Sequence, residues 1–226
     1  PGAKEVLKII DTESRYFIPQ IETKIMNEGW ASYWHYQIIN ALDLPESMHL
    51  EFLVKHNQVI KPIPGQINPY HLGFNLFRHI ERKENLAHGI QDDRLSFSER
   101  IDTPGRKLLF EIREVDRDTS FIRRFLDQDI VTELDMYQHE KRGQERVVTK
   151  TSDEKNFGSI KATLIAQVGL GSIPVLTVSD TDDQDGGLLI QHQHDGRDLS
   201  LEACEPTMKH LETLWGGKVT ILTVLS

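Results

Sequence analysis

The sequence predicts an α+β protein in two parts, helical over residues 1–134 and mixed strand and helix over 135–226. Three observations lead there. Apolar residues recur at three- and four-residue spacing through the first part, as on one face of a helix. Proline- and glycine-rich breaks such as Lys61-Pro62-Ile63-Pro64-Gly65 separate these runs. Beyond residue 135, β-branched runs such as Val175-Leu176-Thr177-Val178 alternate with helical stretches.

Taken in order, residues 3–17 carry Val6, Leu7, Ile10 and Phe17 as an apolar stripe. Pro19 permits a fresh start, since proline is tolerated in a first helical turn, and a second helix should run to about Leu42. Leu44-Pro45-Glu46 opens a third, over about 45–60. Asn68-Pro69 reads as an N-cap followed by proline at the first helical position, and this fourth helix should reach about Glu84. Residues 85–104 are polar and turn-rich, with Asp92-Asp93 and Thr103-Pro104-Gly105 as punctuation. Shorter helices follow near 105–115 and 118–134, the second capped by Asp118 or Thr119. From 135 the order reads strand (135–150), helix (153–169), strand (173–180), strand (187–194), helix (200–214), strand (218–225), with Gly216 as a helix C-cap. The order βαββαβ is the ferredoxin-like arrangement, a four-stranded antiparallel sheet covered by two helices.

At 226 residues and 38% hydrophobic content the chain can bury one large core or two small ones. A net charge of −9 argues against a general nucleic-acid or acidic-membrane surface. The single cysteine, Cys204, excludes an internal disulfide, fits a reducing compartment and points to a cytoplasmic location; a small buried residue is its simplest role. No apolar run approaches the about 20 residues of a membrane span, and no secretory signal opens the sequence. The start at Pro1-Gly2 without Met reads as a fragment or a processed piece.

One stretch stands out, Met26-Asn27-Glu28-Gly29-Trp30-Ala31-Ser32-Tyr33-Trp34-His35-Tyr36. Steps of four and three from Ile21 reach Ile25, Glu28, Ser32, His35, Ile39 and Leu42, which share one helical face. Aliphatics mark that face as core, yet Glu28 and His35 lie within it, and a buried carboxylate must be paired or hold a metal. Gly29 in mid-helix costs about 1 kcal/mol relative to alanine, which suggests close approach of another backbone or room beside Glu28.

With Asn27-Glu28-Gly29-Trp30-Ala31 and Trp34-His35-Tyr36, the sequence resembles the SpoVR family (stage V sporulation protein R). Tyr16-Phe17-Ile18-Pro19-Gln20, Ile67-Asn68-Pro69-Tyr70, Phe121-Ile122 with Phe125-Leu126, and Leu214-Trp215-Gly216 extend the likeness over nearly the whole chain. Family members are longer, so the resemblance is to their C-terminal half and implies a missing N-terminal half as a partner. It also implies a link to spore cortex formation or stress response, with a serine protein kinase and a von Willebrand A-type protein as associates.

Glu28 and His35 are the candidate catalytic residues, with two readings open. In one they form half of a divalent-metal site for zinc, iron or manganese, joined by Glu13 from the preceding helix and completed by the missing half. Two turns separate their α-carbons by about 10 Å, whereas helical metal pairs usually stand three or four residues apart. A variant of this reading makes Glu28 a general base and His35 its acid. In the other, Glu28 and His35 fix helix packing through Tyr16, Tyr33 or backbone groups. His49 and His56, then His71 and His79, form no tight ligand pair. His192 and His194 should share one face of a strand. The acidic Asp180–Asp185 stretch lacks the spacing of an EF-hand and reads as a hairpin tip. No P-loop or common hydrolase motif is present. A metal-dependent, hydrolase-like enzyme and a regulatory or scaffolding protein both remain open.

Overall fold

The computed structural model describes residues 2–63, 66–91, 95–136, 139–142, 145–148, 154–182, 186–194 and 198–224. Its helices are α1 (Ala3–Tyr16), α2 (Ile18–Glu22), α3 (Lys24–Ala41), α4 (Glu46–Val59), α5 (Pro69–Ala87), α6 (Phe97–Arg100), α7 (Pro104–Val115), α8 (Asp118–Phe125), α9 (Gln128–Glu133), α10 (Glu154–Ala166) and α11 (Leu201–Trp215). The strands are β1 (His139–Arg142), β2 (Glu145–Val148), β3 (Leu176–Asp182), β4 (Gly187–His192) and β5 (Val219–Leu222). The chain divides into two units, Ile18–Leu170 and Pro1–Phe17 with Gly171–Ser226. No helix among the described residues is long and apolar enough to cross a membrane.

The larger unit is built on α5. Asn68 starts it as the sequence predicts: its side-chain oxygen accepts from the Tyr70 amide at 3.0 Å, with Pro69 in the first turn. Helix α3 packs on α5 more extensively than any other pair of elements, and α7 lies on another side of α5. Both approaches pass through glycine. A Cβ on Gly29 would lie 2.4 Å from the Gly73 α-carbon and carbonyl carbon, and one on Gly73 would lie 2.3 Å from the Ile25 oxygen. A Cβ on Gly105 of α7 would lie 2.5 Å from the Glu81 oxygen. The mid-helix glycine is thus explained by backbone approach. Around these helices Met26, Tyr33, Leu76, Phe77, Leu109 and Phe121 are wholly buried.

The helix expected over 19–42 is divided at Thr23, whose hydroxyl donates to the Pro19 carbonyl at 2.6 Å instead of capping α3. Asp118 performs that task from a distance. Its carboxylate accepts from the Ile25 and Met26 amides at 2.9 and 3.0 Å, in the first turn of α3. The helix expected over 118–134 is likewise two, because Asp127 caps α9 through the Ile130 amide at 3.1 Å.

The ferredoxin-like four-stranded antiparallel sheet is not what forms. β1 and β2, expected as one strand over 135–150, pair with each other as a separate antiparallel hairpin. The helix meant to cover the sheet, α10, packs on α8. Without these two elements the sheet has three strands in the order β3-β4-β5. β3 and β4 are antiparallel, with an irregularity between Val178 and Asp180, while β4 and β5 are parallel. The parallel pairing follows from the α11 crossover, which brings the chain back in its original direction and packs on β5. Gly216 ends α11 at φ 80°, in the left-handed region that favours glycine.

Two outcomes follow for stability. Gly29→Ala should lower the unfolding free energy by about 1–3 kcal/mol or more in urea titrations. Gly158→Ala, where a Cβ meets open space, should not lower it. Burial pushes the Asp118 carboxyl up to about 6 against its backbone donors. A carboxyl raised on folding stabilises fully below its unfolded value near 3.8, and that stability is lost as pH rises through about 6. Relative to Asp118→Asn, the natural protein should therefore lose roughly 2 kcal/mol between pH 4 and pH 7. A pH-independent difference in urea midpoints would contradict this.

Candidate functional site

Helix α5 places four residues, Phe74, Phe77, Glu81 and Asn85, at three- and four-residue spacing, and all four are buried. The two polar members are fully engaged. Glu81 Oε1 accepts from Arg106 Nε at 3.0 Å, and Oε2 accepts from the Tyr33 hydroxyl at 2.6 Å. Arg106 is wholly buried; it also donates to the Gln37 side-chain oxygen at 3.2 Å and lies over the rings of Trp34 and Phe97. Asn85 Oδ1 accepts from the Gly105 amide at 2.7 Å. Burial, and then the adjoining Glu81 carboxylate, push the Tyr33 phenol far above its ordinary value, so Tyr33 acts as a fixed donor.

A second network flanks the first. His79, also buried, meets Asp127 through Nε2 at 2.9 Å, and Lys83 donates to the same carboxylate at 2.6 Å. Burial alone would raise the Asp127 carboxyl, but the bonds from Lys83 and His79 outweigh it and hold the group at about 2. Arg82 reaches His79 Nδ1 at 3.4 Å and Glu133 at 2.9 Å. These groups border a cavity of about 480 Å³ lined by Gln37, Arg78, His79, Glu81, Arg82, Leu86, Gln91, Arg100 and Glu133. Its volume lies in the range of small-molecule sites, about 300–1,000 Å³, and among the described residues Leu86 is the one aliphatic in its lining.

The residues singled out in the sequence, Glu28, His35 and Glu13, are not among those lining this cavity. Glu28 is half-buried, and its carboxylate raises the pKa of the Tyr70 phenol on α5. His35 is exposed, edge-on to Phe52 at 5.1 Å. The buried face of α3 is formed by Ile25, Met26, Gly29, Ser32 and Tyr33, so the stripe expected through Glu28, His35 and Leu42 is rotated from the true one. Tyr33 and Gly29 set that face, because the aromatic ring needs volume and the glycine needs contact. Glu13 is exposed on α1, in the unit that contains the sheet. Among the described residues no three His, Cys, Asp or Glu side chains converge as metal ligands.

His56 is buried against Tyr36, Phe52 and Phe74, and its Nε2 has no hydrogen-bond partner among the described residues. Burial lowers its pKa, and His35 and Arg78 lower it further. In the sheet-containing unit, the His192 and His194 rings lie 5.8 Å apart, and His192 Nδ1 meets the Thr223 hydroxyl at 2.9 Å. His192 and half-buried Cys204 line a more apolar cavity of about 380 Å³. Asp183 and Asp185 of the expected hairpin tip lie outside the described residues.

Breaking the Glu81–Arg106–Tyr33 network by removing one partner should be costly to the helical unit. Arg106→Ala leaves a buried carboxylate unpaired and should cost about 3–5 kcal/mol. Tyr33→Phe keeps the ion pair and should cost about 1–3 kcal/mol. Denaturant titrations showing equal losses for the two variants would be inconsistent with this ranking.

Comparison with known proteins bears on the same motifs. Residues 2–173 match the model described as SpoVR like protein, and residues 174–226 match the SpoVR-like C-terminal domain. Both models are matched, so the resemblance is not confined to the family's C-terminal portion, as the motifs alone had suggested. The uncharacterized protein YcgB of Escherichia coli K12 is 29% identical over 233 residues, covering 96% of this chain and 45% of its own length. The chain thus spans about half the length of the curated relative it matches. No solved structure matches. Family models covering nearly every residue, with the Asn27-to-Ala31 motif inside the first of them, show that the chain belongs to the SpoVR-like family.

Proposed function

We propose that this chain is a regulatory or scaffolding part of a SpoVR-like protein acting in spore cortex formation or the stress response, in the cytoplasm. One observation supports the reading: each residue from Asn27 to Trp30 of the family motif serves helix packing. Asn27 accepts from Arg113 at 2.6 Å, Glu28 faces Tyr70 of α5 closely enough to raise its pKa, Gly29 seats α3 on α5, and Trp30 packs edge-on against Phe77 and Phe110. A motif used this way holds a surface in shape for partners. The sheet-containing unit is the partner-binding module in this reading, and the family resemblance points to a serine protein kinase and a von Willebrand A-type protein as its partners. Val175, Leu176 and Val178 are exposed there and suit contact with another protein.

The half-exposed position of Glu28 favours a second reading, a metal-dependent hydrolase-like enzyme. In it Glu28, with His35 and Glu13, would be completed by a further N-terminal half. Glu28→Gln in a full-length family protein separates the two. If the first reading holds, metal content and complementing activity stay at the natural level. Loss of stoichiometric zinc, iron or manganese together with activity would instead establish the enzyme.

A further inference from the structure

We propose that the cavity between α3, α5, α6 and α9 is a binding site for a small phosphate-bearing anion. The argument rests on how the charges around it are distributed. Both carboxylates of its wall are already matched, Glu81 by buried Arg106 and Glu133 by Arg82. Arg82 is further steadied by His79 Nδ1, whose Nε2 is held by Asp127. Arg78 differs. Its guanidinium lies 5.4 Å from the Phe74 ring centroid, and no carboxylate pairs with it among the described residues. It stands one turn before Arg82 on α5 and lines the same cavity, with Arg100 entering the wall from α6 and Gln37 from α3.

A guanidinium left over in a recess of a protein whose net charge is −9 is a local reversal of sign, which attracts and retains an anion. The arrangement also selects the kind of anion. A planar carboxylate is satisfied by one arginine fork, whereas a phosphoryl group presents oxygens in several directions to donors arriving from separate elements. Here the donor-bearing residues that line the cavity are Gln37 of α3, Arg78 and Arg82 of α5, and Arg100 of α6, whose Nε donates to the Leu95 carbonyl at 3.3 Å. The cavity volume, about 480 Å³, leaves room for an organic group beyond the phosphate, with Leu86 as an apolar contact.

Isothermal titration calorimetry of the 226-residue chain tests this directly, with pyrophosphate as the probe and malonate as the planar comparison. Pyrophosphate should bind saturably at one site. Arg78→Gln should weaken it about tenfold or more, the loss of one charge-assisted contact. Arg123→Gln, at an exposed arginine away from the cavity lining, should change it less than about twofold. Arg78 is itself exposed, so both variants should keep the natural melting temperature. Absence of saturable binding, equal weakening by the two substitutions, or malonate binding as tightly as pyrophosphate would each overturn the proposal.

Discussion

The helical unit depends on the contact between α3 and α5 at Gly29 and Gly73. Two backbones meet there with no side chain between them, so every neighbouring residue is set by how near the helices come. The indole of Trp30 reaches Phe77 at a centroid distance of 5.5 Å, and the Tyr33 hydroxyl reaches Glu81, because the helix carrying them is drawn in. A methyl group at either glycine would have to push the helices apart or distort them, since the atoms it meets are backbone and cannot rotate away. Gly105 repeats the device on another side of α5. The central helix is thereby clasped by two partners at backbone distance.

Close approach leaves little room for water, and this explains the character of the polar groups inside. Glu81, Arg106 and Tyr33 lie where an unpaired charge would be untenable, and each has its partner within the protein. Such a network adds little net stability compared with apolar residues of the same volume. It does make the arrangement unique, because any slip of α7 along α5 would strand the guanidinium. The cavity bordering Glu81 and His79 inherits walls that are held in place from behind.

Much of the helical architecture was legible because it is local. Asn68-Pro69 announces a helix start within two residues, Gly216 a helix end within one, and the cost of Gly29 in mid-helix narrows its role to backbone approach or room beside Glu28, of which the first is what forms. Part of what was missed was also local: Gly143-Gln144, a two-residue connection opening with glycine, stands between the runs that pair as β1 and β2. The rest was long-range, since nothing in α10 shows that it joins α8. Pairing choices of that kind are decided by competition among distant surfaces. The position of His35 was misjudged by a rotation of the helical face, because the stripe was drawn through aliphatics while an aromatic and a glycine set the buried side. The same spacing argument applied to Phe74, Phe77, Glu81 and Asn85 would have found the buried carboxylate of α5; its partner Arg106, 25 residues away, would have stayed hidden.

The distant cap on α3 also bears on how the chain is made. The first turn of α3 is completed by Asp118, 93 residues after Ile25 in the sequence. At about 5–20 residues per second, the ribosome adds that carboxylate roughly 5–20 seconds after the amides that need it. In the interval, water or a neighbouring side chain must serve those amides. The helix that carries the family motif is therefore among the first parts of this unit to be synthesised, and it waits for its cap until most of the other helices have been made.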